Sequence, residues 1–179
     1  MATPDFIVEL RRTIGHAPLW VPGVTAIVVR DIAPDAPAWA TPQVLLVRRA
    51  DSGKWTPVTG IVDPGEQADE AAVREVREET GLETVAQALL GVGAVGPVVY
   101  PNGDECSFMD TALRLRVSGD NYDPVVGDDE STDVGWFELS QLPEMAPRFR
   151  LLCADAVAQL RHPRGFQPRM GYHKRPAGH

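Results

Sequence analysis

The chain has 179 residues, 25 of them Asp or Glu against 17 Lys or Arg, for a formal net charge of -8 at pH 7. That sign excludes a protein that coats nucleic acid through phosphate contacts. With 44% hydrophobic and 23% charged residues the composition is that of a folded domain with a sizeable core, which sets aside disordered and collagen-like chains.

In chain order, Phe6, Ile7, Leu10 and Ile14 recur at helical spacing from Asp5 to Ile14, and Gly15 is a reasonable stop, so a short amphipathic helix is predicted there. Asp5 and Glu9 interrupt its apolar residues, which argues against a signal peptide, and no window reaches the length of a membrane span. Pro18, Pro22 and Gly23 are expected to break the chain before a β-branched strand, Val24 to Val29. A Pro- and Ala-rich surface loop, Ala33 to Pro42, leads to a strand at Val44 to Val47 ending in Arg48 and Arg49. These two arginines alternate faces, so at most one should meet a site. A turn around Ser52-Gly53-Lys54 precedes an extended piece, Trp55 to Thr59. Further strands are predicted at Val85 to Val95 and Ser107 to Val117, with Pro97, Pro101, Asn102 and Gly103 in the loop between them. The acidic loop Asp120 to Asp133 leads to a strand at Val134 to Leu139, and a last helix runs from about Phe149 to Leu160. The tail from Arg161 holds Arg164, Arg169, Lys174 and Arg175 and no acid; a frayed terminus is its plain reading. Strands before and after a central helix, with a terminal helix, predict an α/β sandwich with a mixed sheet. The division is residues 1–22 as N-terminal helix and connector, 23–162 as the main domain and 163–179 as the basic tail. Two cysteines, Cys106 and Cys153, are too few for a disulfide scaffold and lack metal-ligand spacing, so a reducing cytoplasm is the expected setting.

The chemistry concentrates in residues 60–82. Pro64-Gly65 is a turn, Glu66 follows it, and Ala68 to Thr80 is a run of good helix formers closed by Gly81. Glu75, Glu78 and Glu79 fall at i, i+3 and i+4 and share one face, beside an apolar face of Ala72, Val73 and Val76. Arg74 sits four residues from both Glu70 and Glu78, where it can hold carboxylates in place. Like charges on one stripe repel by roughly 0.2–0.5 kcal/mol per pair. A hard divalent cation with oxygen ligands, Mg²⁺ or Mn²⁺, would offset this, and a phosphate-bearing substrate would complete its coordination. A solvated charged helix face is the plain alternative, but it explains neither the tight Pro-Gly-Glu turn nor the acids that abut the apolar stripe.

Gly60, Glu66, Arg74, Glu75, Val76, Glu78, Glu79, Gly81 and Leu82 fill every defined position of a Nudix box, which the segment resembles position for position. The resemblance extends to the flanking strands and to Trp136-Phe137 followed by Leu142-Pro143, over residues 20 to 160. It implies an α/β/α sandwich that hydrolyses a nucleoside diphosphate linked to another group, with Mg²⁺ as cofactor and Mn²⁺ as substitute. Carried over by position, Glu75, Glu78 and Glu79 are metal ligands, with the Gly60 carbonyl as a further one. Glu66 and Arg74 brace the loop against the helix and join Glu79 among the catalytic residues. One departure stands out: the family usually enters the box through two glycines after a proline, and here the entry is Pro57-Val58-Thr59-Gly60. In the family a catalytic or metal-binding carboxylate often comes from the chain just before the Trp136 strand, and of Asp128, Asp129 and Glu130 the choice is Glu130. Arg48, Arg49 and Lys54 are the candidate groups for the substrate's charge, and Tyr100 for stacking on a base or ribose. A proline about fifteen residues beyond the box marks many ADP-ribose pyrophosphatases, and Pro97 stands there. ADP-ribose or a similar nucleotide sugar is therefore ranked first. Oxidised nucleoside triphosphates such as 8-oxo-dGTP rank second, and the rival from another class is a catalytically silent Nudix-like binding domain. The partner is a small nucleotide, with no stable nucleic-acid or membrane binding, and a homodimer stays open.

Gly91-Val-Gly93-Ala-Val-Gly96 matches a dinucleotide fingerprint, but Pro97 and the β-branched Val98-Val99 argue against the helix that fingerprint needs. The four histidines lack zinc-ligand spacing.

Overall fold

The computed structural model of the chain describes residues 3–33, 35–100 and 102–172, and its spine is the strand β1 (Leu19–Arg30). One edge of β1 runs parallel to β6 (Glu105–Val117) from Leu19↔Cys106 to Val28↔Leu115. The other edge pairs antiparallel with β4 (Val58–Ile61) at Gly23–Ala26 and with β2 (Gln43–Arg49) at Val29–Arg30. Beyond β2 lie β3 (Trp55–Thr56) and β7 (Ser131–Glu138); beyond β6 lie β5 (Thr84–Val99) and the two-residue β8 (Arg169–Met170). The sheet is mixed, as the sequence predicts.

Alternation along β1 decides the layers. Val24, Ala26 and Val28 face the helix α2 (Ala68–Thr80) and pack with Ala72 and Val76; Ile27 and Val29 face α3 (Pro147–Arg161) and pack with Leu152, Ala156 and Val157. The result is an α/β/α sandwich. Trp136 and Phe137 divide in the same way, one packing on each core. The predicted amphipathic helix is α1 (Asp5–Ile14). No helix of the described residues is long and apolar enough to cross a membrane.

Two prolines depart from the expectation. Pro22 and Gly23 lie inside β1 and do not break it. The Pro22 carbonyl accepts from Val62 N at 3.1 Å, so its nitrogen points to that same side, away from β6, and the parallel ladder loses no donor. Pro97 lies inside β5, where a register shift between Val95 and Val98 takes Gly96 and Pro97 out of the ladder.

Residues 163–172, read from the sequence as the start of a basic tail, return to the sheet. β8 runs parallel to β5 with Gly91↔Arg169 and Val92↔Met170, and Phe166 and Tyr172 pack on the α3 core. Gly91 and Gly93 make the approach feasible: a β-carbon on either would stand 2.9 Å from Arg169 or Tyr172. The glycine pattern thus lies within a strand, with no helix behind it, and its spacing serves packing. His173, Lys174, Arg175 and His179 lie outside the described residues, as does Pro101.

Candidate functional site

The helix α2 has the predicted bounds because both its ends are capped locally. Gln67 N donates to Glu70 Oε2 at 3.0 Å at the start, and Gly81, at φ 69°, donates to Arg77 O at 2.9 Å at the end. Glu70 is therefore engaged at the helix start and does not reach Arg74.

Arg74 instead takes Glu66 in a two-pronged bond, Nε to Oε1 and Nη2 to Oε2, both at 2.8 Å. The same guanidinium donates to the Ile61 carbonyl at 3.1 Å, and Glu66 Oε2 accepts from Asp63 N at 3.0 Å. The loop between β4 and α2 is thereby tied to the helix, and Arg74 holds the Glu66 carboxyl below the usual range. The second Arg74 prong, Nη1, reaches Glu75 Oε1 at 2.8 Å and Glu78 Oε2 at 3.4 Å.

The three stripe glutamates differ sharply in surroundings. Glu75 is 0% exposed and Glu79 1%, whereas Glu78 faces solvent. Burial pushes the Glu75 carboxyl up to about 8, with Arg74 opposing, and the Glu79 carboxyl up to about 7, with Asp128 adding to the rise. Glu75 Oε2 is buried with no hydrogen-bond partner, and a β-carbon on Gly60 would stand 2.1 Å from the Glu75 carboxyl carbon. Thr59, where the family usually has glycine, sits in regular pairing opposite Thr25. Among the described residues, no three His, Cys, Asp or Glu side chains stand together as a metal-holding group; Arg74 lies between the Glu75 and Glu78 carboxylates. The donor set nevertheless fits a hard divalent cation. Only carboxylate and carbonyl oxygens are offered, one buried oxygen has no partner, and two buried carboxyls lack full charge compensation.

The acidic loop comes to Glu79 through the open end of α2. Val125 N donates to Thr80 O and Gly127 N to Glu79 O, both at 2.9 Å, which satisfies carbonyls left over at the helix terminus. Glu130 is anchored by its carbonyl, which accepts from Ala50 N at 2.7 Å, and its Oε2 accepts from Arg49 Nη1 at 3.2 Å. Ser131 Oγ lies 3.5 Å from Glu79 Oε2.

A cleft of about 960 Å³ opens beside these groups, with Gly60, Arg49, Glu130 and Tyr100 in its wall. Of the candidate cations only Arg49 lines it. Arg48 points to the opposite face, with Nε donating to Gly53 O at 3.1 Å, and Lys54 is exposed at the hairpin turn outside the cleft wall. Strand alternation admits one of the two arginines, and the residue in the cleft wall is Arg49. Tyr100 is half-buried in the wall, and the bulge around Pro97 sets Val95 and Val98 along the same wall. Two further wall residues, Asp110 and Arg148, escaped the sequence reading. Asp110 carried a usable signal, the one acid in the interior of β6, next to the small and apolar Thr111, Ala112 and Leu113; Arg148 carried none.

A family model described as NUDIX domain matches residues 24–155. An ADP-ribose pyrophosphatase of Methanocaldococcus jannaschii is 33% identical over 107 residues, 58% of this chain and 59% of that protein. The NAD-capped RNA hydrolase NudC of Deinococcus radiodurans is 31% identical over 149 residues, 80% of this chain and 48% of that protein. Among solved structures, a MutT NUDIX hydrolase from Burkholderia pseudomallei superimposes with a TM-score of 0.54 at 26% identity, over 76% of this chain and 98% of that one. The matched segments span between 34% and 59% of the length of three curated relatives.

Proposed function

Since the chain belongs to the Nudix hydrolase family, we propose that it hydrolyses the diphosphate linkage of a nucleoside diphosphate derivative, with ADP-ribose or a similar nucleotide sugar as substrate and Mg²⁺ as cofactor. One observation carries the reading: the fully buried Glu75 carboxylate, with Oε2 unpartnered, lies against Gly60 in the wall of a nucleotide-sized cleft. The choice of ADP-ribose is supported by the likeness to the Methanocaldococcus enzyme and by Pro97, whose bulge shapes the wall with Val95 and Val98. The setting proposed is the cytoplasm.

Glu75, Glu78, Glu79 and the Gly60 carbonyl are the groups that would hold the cation, with Mn²⁺ as a substitute for Mg²⁺. When bound, it would supply charge neutralisation on the transferred phosphoryl group and the leaving oxygen. The chain's own residues do the rest. Glu66 and Arg74 keep the loop at Gly60 seated on α2, so that the Glu75 carboxylate stays buried against it. Arg49 offers positive charge to the diphosphate at the cleft wall. Glu130, fixed by Arg49 and by Ala50 N, is the proposed acceptor of the proton lost by the attacking water, with Glu79 nearby as the second carboxylate of the acidic end.

The products test the reading directly. Purified protein with Mg²⁺ is expected to convert ADP-ribose and water to AMP and ribose 5-phosphate. Release of pyrophosphate and a monophosphate from oxidised nucleoside triphosphates, with no AMP from ADP-ribose, would move the substrate to the rival class. No turnover of either by folded protein would favour a silent binding domain.

A further inference from the structure

The cleft extends past the acidic end to a cluster that the diphosphate chemistry leaves unused. On β6 the buried Asp110 accepts from the Thr25 hydroxyl at Oδ1, 2.8 Å, and lies 2.7 Å from the Tyr172 hydroxyl at Oδ2. Arg148, in the first turn of α3, lines the same cleft; its Nη1 is buried, makes no hydrogen bond, and lies 3.7 Å from Asp110 Oδ2. Its guanidinium is stacked 4.0 Å over Phe149, which leaves the free donor beside the carboxylate. A buried donor without an acceptor is a standing cost that a ligand would relieve.

The position of this cluster in the sheet suits one part of the substrate. Ile61, Gly23 and Asp110 are register neighbours on β4, β1 and β6, so Asp110 stands two strand spacings, about 10 Å, from the box strand. Between them Gly23 contributes no side chain, and the Phe108 ring lies alongside, 3.3 Å from where a β-carbon on Gly23 would stand. A nucleoside can lie across that floor from its phosphates to its base. The chemistry at the end of the path is a donor beside an acceptor with no net charge. A second phosphate would be repelled by Asp110, whereas a nucleobase edge presents an acceptor next to a donor.

We propose that Arg148 and Asp110 bind the hydrogen-bonding edge of the substrate's nucleobase, with Thr25 and Tyr172 holding the Asp110 carboxylate in place. The inference rests on the pyrophosphohydrolase reading for where the phosphates lie. It gives the C-terminal segment a part in recognition, since Tyr172 follows β8 and lies outside residues 24–155.

The test is calorimetric binding of AMP and of ribose 5-phosphate, with Mg²⁺ present, to wild type, Arg148→Met and Tyr172→Phe. Wild type is expected to bind AMP at least about tenfold more tightly than ribose 5-phosphate, because a paired polar site rejects a ligand that lacks the matching groups. Arg148→Met should bring the two affinities to within about twofold by weakening AMP alone, measured on protein whose folding has been checked by circular dichroism, because the change also takes the counter-charge from buried Asp110. Tyr172→Phe should weaken AMP by roughly threefold or more and leave ribose 5-phosphate unchanged. The proposal is overturned if wild type does not prefer AMP, if Arg148→Met weakens both ligands equally, or if it changes neither. Should Arg148→Met not fold, an unaltered preference in Tyr172→Phe overturns it. Neither ligand is hydrolysed, so a failure here is separate from an absence of ADP-ribose turnover.

Discussion

Gly60 lies so close to Glu75 that a β-carbon on the glycine would stand 2.1 Å from the carboxyl carbon of the glutamate. The strand that pairs with β1 and the helix that covers it are in contact there, and the first glutamate of the stripe is sealed beneath the box strand. Gly60→Ala must therefore displace either β4 or the Glu75 side chain. The expected cost is about 1–3 kcal/mol in urea unfolding, the range for overpacked sites, together with a raised Mg²⁺ requirement for activity. An alanine protein with wild-type stability and Mg²⁺ dependence would mean that the contact is not a constraint.

Glu79→Gln separates a working carboxylate from helix decoration. The side chain is buried beside Asp128 and Glu130, so replacing its charge should leave the fold intact and raise the melting temperature of metal-free protein, while kcat falls at least about a hundredfold. Retention of most activity in the folded variant would return the stripe to a plain acidic helix face.

The two buried carboxyls also set a pH dependence. Folded values of about 8 for Glu75 and about 7 for Glu79 stand above the ordinary 4.5, so the folded chain binds more protons than the unfolded one. Their contribution to stability is complete below 4.5 and is lost as pH rises through about 7 and then about 8. Urea unfolding of metal-free protein should show this decline, Glu75→Gln should flatten it, and Mg²⁺ should stabilise most at the alkaline end, where both carboxylates are ionised. A stability that climbs across the same range would contradict the assignment.

Glu130→Gln distinguishes a base from a ligand. As the acceptor of the water proton, Glu130 should affect kcat, which the amide lowers at least about tenfold, with little change in the Mg²⁺ concentration for half-activity. A large rise in that concentration would make Glu130 a ligand, and no effect would move the base to Glu79.

The local features were legible because their causes lie within a few residues. Helix formers from Ala68 to Thr80, with Gly81 past the end, dictate α2 at its observed bounds; the brace between Glu66 and Arg74 is implied by the resemblance to the Nudix box, whereas helical spacing points Arg74 to Glu70, which is taken up at the helix start. Strand alternation limited Arg48 and Arg49 to one site-facing residue without saying which. That choice belongs to β7, which pairs along β2 and brings Glu130 to the face of Arg49. The separation of buried Glu75 and Glu79 from solvated Glu78 depends on which side of α2 meets the sheet and on the loop that caps its last turn. Pro22 and Pro97 read as breaks because a missing amide hydrogen is visible in sequence, whereas the side to which it points is set by the neighbouring strand. Asp110, Arg148 and Tyr172 stand on β6, α3 and the segment after β8. Periodicity and capping act within a turn or two of chain; the meeting of three remote side chains is produced by packing, and only the tertiary structure decides it.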